Sequence, residues 1–375
     1  MSVPAAWPSP RARAWPPRAP SRDTSSKAAV TSVAGSTRAR TGVRSSSINF
    51  LGESLKIDSG GAIWAAGVSL SSASRIAVAS VTIQDAEGLR FEGNMSTATG
   101  VSITASASAK RTVYFAKDTS SNTFESGFVR NSSGGALSLD RSDLNLIRTS
   151  TFSSSGGAGF ETVEIDVGSD YNLLTQNYIE SADHRAMRVL NGAQYNTVSW
   201  STMTAAGPSN VTLNIGGDFN LFTRLFLTHS QTNVLNVVST ANDNLISFST
   251  ISAAPNDNTA ALLLDGSSNT FASCYFSHNT GYAIRLDAQS WGNRIEQSTA
   301  SSRGSLRETL WATGGSSNTI SGSWIQNLVG PGARFEQGAS WNTVEVSTII
   351  APTIGVFFAD ASSNALRGDY VSAST

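Results

Sequence analysis

The stretch YNTVSWSTM (residues 195–203) is followed one period later by FNLFTRLFL (219–227), and later by SNTFASCYF (268–276) and SNTISGSWI (317–325). All share one phrase, with Leu225 the one departure among these four: Asn, any residue, apolar, any two, a small residue, any, apolar. The phrase opens at Asn122, Asn145, Asn172, Asn196, Asn220, Asn244, Asn269, Asn293, Asn318, Asn342 and Asn364. Successive steps are 23, 27, 24, 24, 24, 25, 24, 25, 24 and 22 residues, so the spacing is that of a repeat architecture.

Three apolar stations recur in each unit. Two residues after the asparagine stand Phe124, Ile147, Leu174, Val198 and Phe222; seven after it stand Val129, Phe152, Ile179, Met203 and Leu227. Seven before it stand Phe115, Ile165, Val189, Leu213, Val237, Leu262, Leu286, Trp311, Phe335 and Phe357, with Ser138 out of pattern. The alternation around each station has period two, which specifies short strands, and Gly, Ser, Asn and Asp separate them. Three short strands make one turn of a three-sided coil. One coil cannot bury its apolar side chains; stacked coils share a continuous core. The expected fold is therefore all-β, a single-stranded right-handed parallel β-helix with about 24 residues per coil. The asparagine is expected at a bend, in a left-handed backbone conformation, with its amide hydrogen-bonded up the column. Five residues on, Gly127, Ser150, Ser201, Ser249, Cys274, Ser298, Ser323 and Ser347 form a small-residue column suited to a second bend, with Asn177, Leu225 and Asp369 as exceptions.

These columns resemble the right-handed parallel β-helix repeat of the pectate-lyase-like superfamily, and look closest to bacterial repeat-containing surface proteins. The resemblance covers residues 48–375 and implies a fold. That fold hosts lyases, hydrolases, epimerases, adhesins and phage tailspikes, so it does not imply one function. An extracellular or cell-surface location also rests on the resemblance.

Charge divides the chain. Residues 1–47 hold eight basic residues and one acid, leaving 18 basic against 26 acidic residues in the remainder, a net of −8. An acidic body argues against nucleic acid as partner. Calcium is compatible with it, although no cofactor is called for. Six of the ten prolines fall in the first twenty residues, so 1–47 is expected to be a disordered basic leader. It has no apolar signal core, and no stretch is long enough to span a membrane. Residues 48–121 are expected to form an N-terminal cap with irregular first coils, and 122–375 the regular coils. The chain stops soon after its last core residue, with neither helix nor charged cap. This points to a piece of something longer or to end-to-end assembly with another copy. The single Cys274 excludes an internal disulfide framework.

Two features rise above the repeat. Six residues after each asparagine the chain reads Phe128, Thr151, Tyr178, Thr202, Phe226, Thr250, Tyr275, Thr299, Trp324, Thr348, Tyr370, so the unit of duplication is two coils. Flanked by inward stations, this column should face outward, placing an aromatic ring every two rungs, on the order of 9–10 Å apart. That spacing suits alternate sugar rings of an extended polysaccharide; the plain alternative is that each ring covers its neighbouring threonines and duplication preserved the pattern.

The second feature is a set of acids around the longest step. Asp143 and Asp170 share a column two before their asparagines, and Glu161, Glu164, Asp166, Asp183 and His184 are near in sequence. Two carboxylates a rung apart can ligate calcium or serve as an acid–base pair, but Asp218 recurs in the column and Asp also suits bends. His229 and His278 read as surface turn residues, and Arg188, Arg285 and Arg334 as an outward row with solvated neighbours. The catalytic signatures of polygalacturonases and of the epimerase type are missing, which argues against catalysis without deciding the question. The expected role is a structural or adhesive β-helix segment of a bacterial surface or secreted protein, contacting polysaccharide through the aromatic column. The alternatives are a polysaccharide lyase or glycoside hydrolase working in a groove at 143–185, and a fragment with no independent function.

Overall fold

The computed structural model describes residues 88–105, 111–155, 160–208, 210–254 and 256–374, and the backbone of six short strands between Arg38 and Gln84. Among these residues there is no helix. The chain passes in turn through three parallel sheets of 15, 13 and 14 described strands. In the Asn220 coil, Leu213–Ile215 belongs to the first sheet, Leu221–Thr223 to the second and Phe226–His229 to the third. Each pairs in register with its equivalents one coil before and one coil after, so Val198, Phe222 and Ile246 are direct neighbours. The expected leader lies outside the described residues apart from the strand Arg38–Ala39, which pairs with Leu55–Ile57. Of the expected N-terminal cap, Leu89–Glu92, Thr97–Thr99 and Ser102–Ala105 already follow the three-sheet cycle.

Period-two alternation turns every second side chain inward, and stacking superimposes like on like. Phe124, Ile147, Leu174, Val198 and Phe222 are fully buried, as are Val129, Phe152, Ile179, Met203 and Leu227. Phe91 stacks on Phe115 at 4.3 Å between ring centroids. Each such side chain contributes about 1.5–3 kcal/mol by leaving water, and a coil alone would gain little of it. The third apolar station departs from expectation at two places. Trp311 is only half-buried and Phe357 is 41% exposed, because Leu310 and Ala312 are the inward residues of the first strand, and in the second Val356 and Phe358 stand in register with the inward Ala333 and Phe335. Trp311 and Phe357 pair instead with Arg285 and Arg334 in the outward row. A one-residue change in the length of the following bend reverses strand parity.

The asparagine column is a hydrogen-bonded ladder. Asn196 donates its backbone N–H (2.8 Å) and its Nδ2 (3.1 Å) to Asn220 Oδ1, and the pattern continues through Asn244, Asn269, Asn293, Asn318, Asn342 and Asn364. From Asn172 onward each Nδ2 also reaches a bend carbonyl one coil earlier, as Asn220 Nδ2 does to Ala193 O at 3.0 Å. The column runs one rung further back than the phrase, since Ser96 N–H donates to Asn122 Oδ1. The left-handed residue is not the asparagine but the one before it: Ser121, Leu144, Tyr171, Tyr195, Phe219, Asp243, Ser268, Ser317, Trp341 and Ser363 all have φ near +57°, and Gly292 +66°. Each non-glycine residue there costs about 1–2 kcal/mol. The bend turns the following N–H into the interior, where the next asparagine satisfies it.

The second bend repeats this logic. Ser126, Thr149, Gln176, Trp200, Arg224, Phe248, Ser273, Gln297 and Val346 are left-handed, and the next residue points inward. What selects that residue is an acceptor atom rather than small size. Gly127 N–H donates to Ser150 Oγ, Ser150 N–H to Asn177 Oδ1, Asn177 N–H to Ser201 Oγ, and Ser347 N–H to Asp369 Oδ1. Asn177 and Asp369 are therefore members of the column, and Gly127 at its start and the buried Leu225, neither with a side-chain acceptor, are the exceptions.

His229 and His278, expected at the surface, are each 2% exposed. Both end a third-sheet strand and close the bend behind it. His229 Nδ1 accepts the N–H groups of Gln231 (2.9 Å) and Thr232 (3.0 Å); His278 Nδ1 accepts those of Thr280 (3.1 Å) and Gly281 (2.7 Å). Asn131 and Asn327 fill the same position with Oδ1. Burial pushes both imidazoles down to about 4, so they are neutral at pH 7. The arginine row is also not surrounded by solvent alone: Arg188 pairs with Glu161, Arg285 with Asp287, and Arg334 with Glu308 and Glu336.

Candidate functional site

The outer face of the third sheet carries the alternating column. Phe128, Thr151, Tyr178, Thr202, Phe226, Thr250, Tyr275, Thr299, Trp324, Thr348 and Tyr370 are consecutive register partners. The six aromatics are 40–63% exposed, and their strand neighbours Val129, Ile179, Leu227, Phe276 and Ile325 are buried, so the column points outward as expected. Threonine rungs hold the rings apart: among the described residues none of the six is in ring contact with another aromatic.

Beside this column runs a second outward row, Thr204, Thr228, Ser252, Ser277, Ser301 and Gln326, in which Ser277 Oγ donates to Ser252 Oγ at 3.0 Å. Over the seven strands from Thr202–Ala205 to Thr348–Ala351, neither outward row contains a charged residue. The ridge at the second bend borders the face. There the Arg224 guanidinium lies 4.3 Å from the Trp200 ring centroid and 5.8 Å from that of Phe248. Trp200, Thr202, Arg224, Phe226 and Phe248 line an open trough of about 390 Å³. The sequence pattern did not single out this ridge, because the position varies from ring to hydroxyl to arginine between coils.

The first bend carries a different aromatic ridge. Tyr171, Tyr195 and Phe219 are exposed but stack on one another at 5.0 and 5.3 Å with rings nearly parallel. Their faces are occupied by each other, and the stack helps to offset the left-handed backbone beneath it. The signal was present in the sequence as a ring directly before Asn172, Asn196 and Asn220.

The acids separate into two places. Asp143 Oδ1 accepts the N–H of Asp170 (2.8 Å), Asp170 Oδ1 that of Gln194 (2.7 Å), and Asp218 Oδ1 that of Asn242 (2.7 Å), so all three perform the same turn-building task. Glu161 and Glu164 instead meet Arg111, which crosses Gly135 to reach Glu164 Oε1 at 2.6 Å. Glu161 Oε1 accepts from Arg185 and Arg188 at 3.0 and 3.4 Å. Burial raises Glu164 most; Arg111 draws it back, and the hydrogen bond and charge of Glu161 add to the rise, to about 7. Burial also opposes ionisation of Glu161, but hydrogen bonds from Glu164 and the backbone, with the charges of Arg188 and Arg111, hold it below the usual range. His184 bonds Asn210 through Nδ1. No hydrogen bond or ion pair among the described residues joins Asp143 or Asp170 to Glu161, Glu164, Asp183 or His184. Among the described residues no three His, Cys, Asp or Glu side chains converge as a metal site. No described helix is long and apolar enough to cross a membrane.

Comparison with known proteins places this geometry. Residues 212–371 match the family described as right handed beta helix region. No curated protein matches the sequence. Among solved structures, the periplasmic alginate epimerase AlgG is similar over 80% of this chain and 76% of its own, with 9% identity and a TM-score of 0.53. A chain of the Vag8–C1 inhibitor complex is similar over 84% of this chain and 92% of its own, with 14% identity and a TM-score of 0.52. At such identities the likeness speaks to fold. The chain folds as a right-handed parallel β-helix, and residues 212–371 carry the sequence pattern of that fold.

Proposed function

We propose that the chain is a structural and adhesive β-helix segment of a cell-surface or secreted bacterial protein, and that the outer face of the third sheet binds extended polysaccharide. The observation that carries this reading is the row of exposed rings at every second rung, none stacked on another aromatic, on a sheet held by buried ladders. Aromatic faces stack on the C–H faces of sugars, and hydroxyl rows meet sugar hydroxyls at little desolvation cost. A continuously paired solenoid also withstands extracellular conditions, because its strands offer few openings between the rungs. The fold is shared with an alginate epimerase and with a chain seen in complex with an inhibitor protein, and both kinds of partner agree with a long exposed face. Asp143 and Asp170 use Oδ1 in turn bonds, as Asp218 does, which gives the catalytic alternative no specific support. The test is the triple variant Tyr178→Ala, Phe226→Ala, Tyr275→Ala on a polysaccharide array. Binding is expected to disappear while the circular dichroism spectrum is retained; unchanged binding refutes the assignment of this face.

A further inference from the structure

We infer that the glycan taken by this face is an uncharged chain with two-fold extended geometry, of the β-1,4-linked hexose or N-acetylhexosamine type. The inference rests on the glycan-binding reading above and specifies its substrate class.

Its first support is the strict alternation of ring and threonine along the strand register from Phe128 to Tyr370. Coils rise by roughly 4.8 Å, close to the advance of one pyranose in an extended 1,4-linked chain. One sugar therefore lies over each coil. In a two-fold ribbon each sugar is turned by half a revolution from the last, so every second ring presents the same face and the same substituents to the protein. A receptor for that ribbon needs a two-coil repeat: a stacking ring under one sugar, and a small hydroxyl under the next, where the bulkier edge comes down. The aromatic–threonine alternation supplies this repeat. A three-fold or helically coiled glycan would fall out of step with it within a few sugars.

The second support is charge. The two outward rows are uncharged through seven consecutive strands, and the second consists of Thr204, Thr228, Ser252, Ser277 and Ser301, then Gln326 and Ile350. Along these seven strands a polyanionic glycan with a carboxylate on every sugar would meet no cation within either row; at the borders, Arg224 is already covered by the rings of Trp200 and Phe248, and Arg303 stands just past the strand Thr299–Ser302, while Arg130 and Glu180 enter the second row only beside Phe128 and Tyr178. An uncharged glycan loses no ionic hydration on docking and finds a hydroxyl at each rung, or the Gln326 amide at the Trp324 rung.

The experiment is calorimetric titration of the full chain with four hexasaccharides. Cellohexaose and chitohexaose are uncharged and two-fold; maltohexaose is uncharged but coiled; hexamannuronate is extended but anionic. Binding of cellohexaose or chitohexaose at least tenfold tighter than the other two is expected, with a loss of roughly three- to tenfold for each of Phe226→Ala and Tyr275→Ala. Equal binding of maltohexaose overturns the two-fold geometry, and tighter binding of hexamannuronate overturns the uncharged class; either result leaves the glycan-binding reading standing. Binding of none of the four overturns this inference and that reading together.

Discussion

The two buried histidines should make this solenoid acid-sensitive in a defined window. In the folded chain His229 and His278 titrate near 4, against 6.5 for a free imidazole, because burial disfavours the cation and Nδ1 is occupied as an acceptor. With Nδ1 accepting, the proton sits on Nε2, which faces Thr232 Oγ1 at 3.2 Å in one case and Thr259 Oγ1 at 2.9 Å in the other. The Asp257 charge pulls His278 up slightly, and a backbone bond at Asn210 does the same for His229, but burial dominates both. Between pH 4 and 6.5 the unfolded chain binds more protons than the folded one, so stability rises with pH across that window. The contribution is complete above 6.5 and lost by about 4. A depression of 2.5 pKa units is worth about 3 kcal/mol for each histidine. The decisive comparison is His229→Asn, His278→Asn, which installs the side chain already found at Asn131 and Asn327 and keeps the bend without a titrating group. Denaturant midpoints measured from pH 4 to 8 should fall steeply with acid in the wild-type chain and much less in the double variant. Amide exchange at Gln231, Thr232, Thr280 and Gly281, compared at equal pH, should show where the difference arises. Parallel pH curves for the two proteins would refute the argument, whatever their absolute stabilities.

Two further outcomes follow from the buried polar groups. Asn220→Ala leaves the buried Asn196 N–H without its acceptor, while Asn196 Nδ2 keeps Ser169 O, and should lower stability by about 1–3 kcal/mol; a shift in denaturation midpoint reads it, and a neutral result would mean water enters the ladder. Glu164, raised to about 7 from 4.5, favours the folded chain in its protonated form, so its contribution is present below 4.5 and lost as pH rises through 7. Glu164→Gln should therefore flatten the decline of stability over that range, and an unchanged slope would place the proton elsewhere.

Much of this protein was legible in its residues. A period near 24 with three apolar stations has few physical solutions, because side chains two apart on a strand share a face and only stacked coils bury that face. The asparagine column, the outward alternation of ring and threonine, and the fold class follow from spacing alone. The bends were harder. The strained residue proved to be the one before each asparagine, and Asn177 and Asp369 joined the second-bend column because what matters there is an oxygen aimed at a neighbour's N–H, a relation between coils that no single coil displays. Parity was equally hidden at Trp311 and Phe357, where bend length decides which side of the sheet a residue occupies. His229 and His278 looked like loop residues by position, and only the closing of the third bend over them makes them core. Acids close in sequence were divided between a bend and a sheet, and rings distant in sequence were brought into stacks. Sequence spacing determined the coil; the registration of one coil on the next decided which polar atoms are buried, which rings stack on one another, and which charges meet.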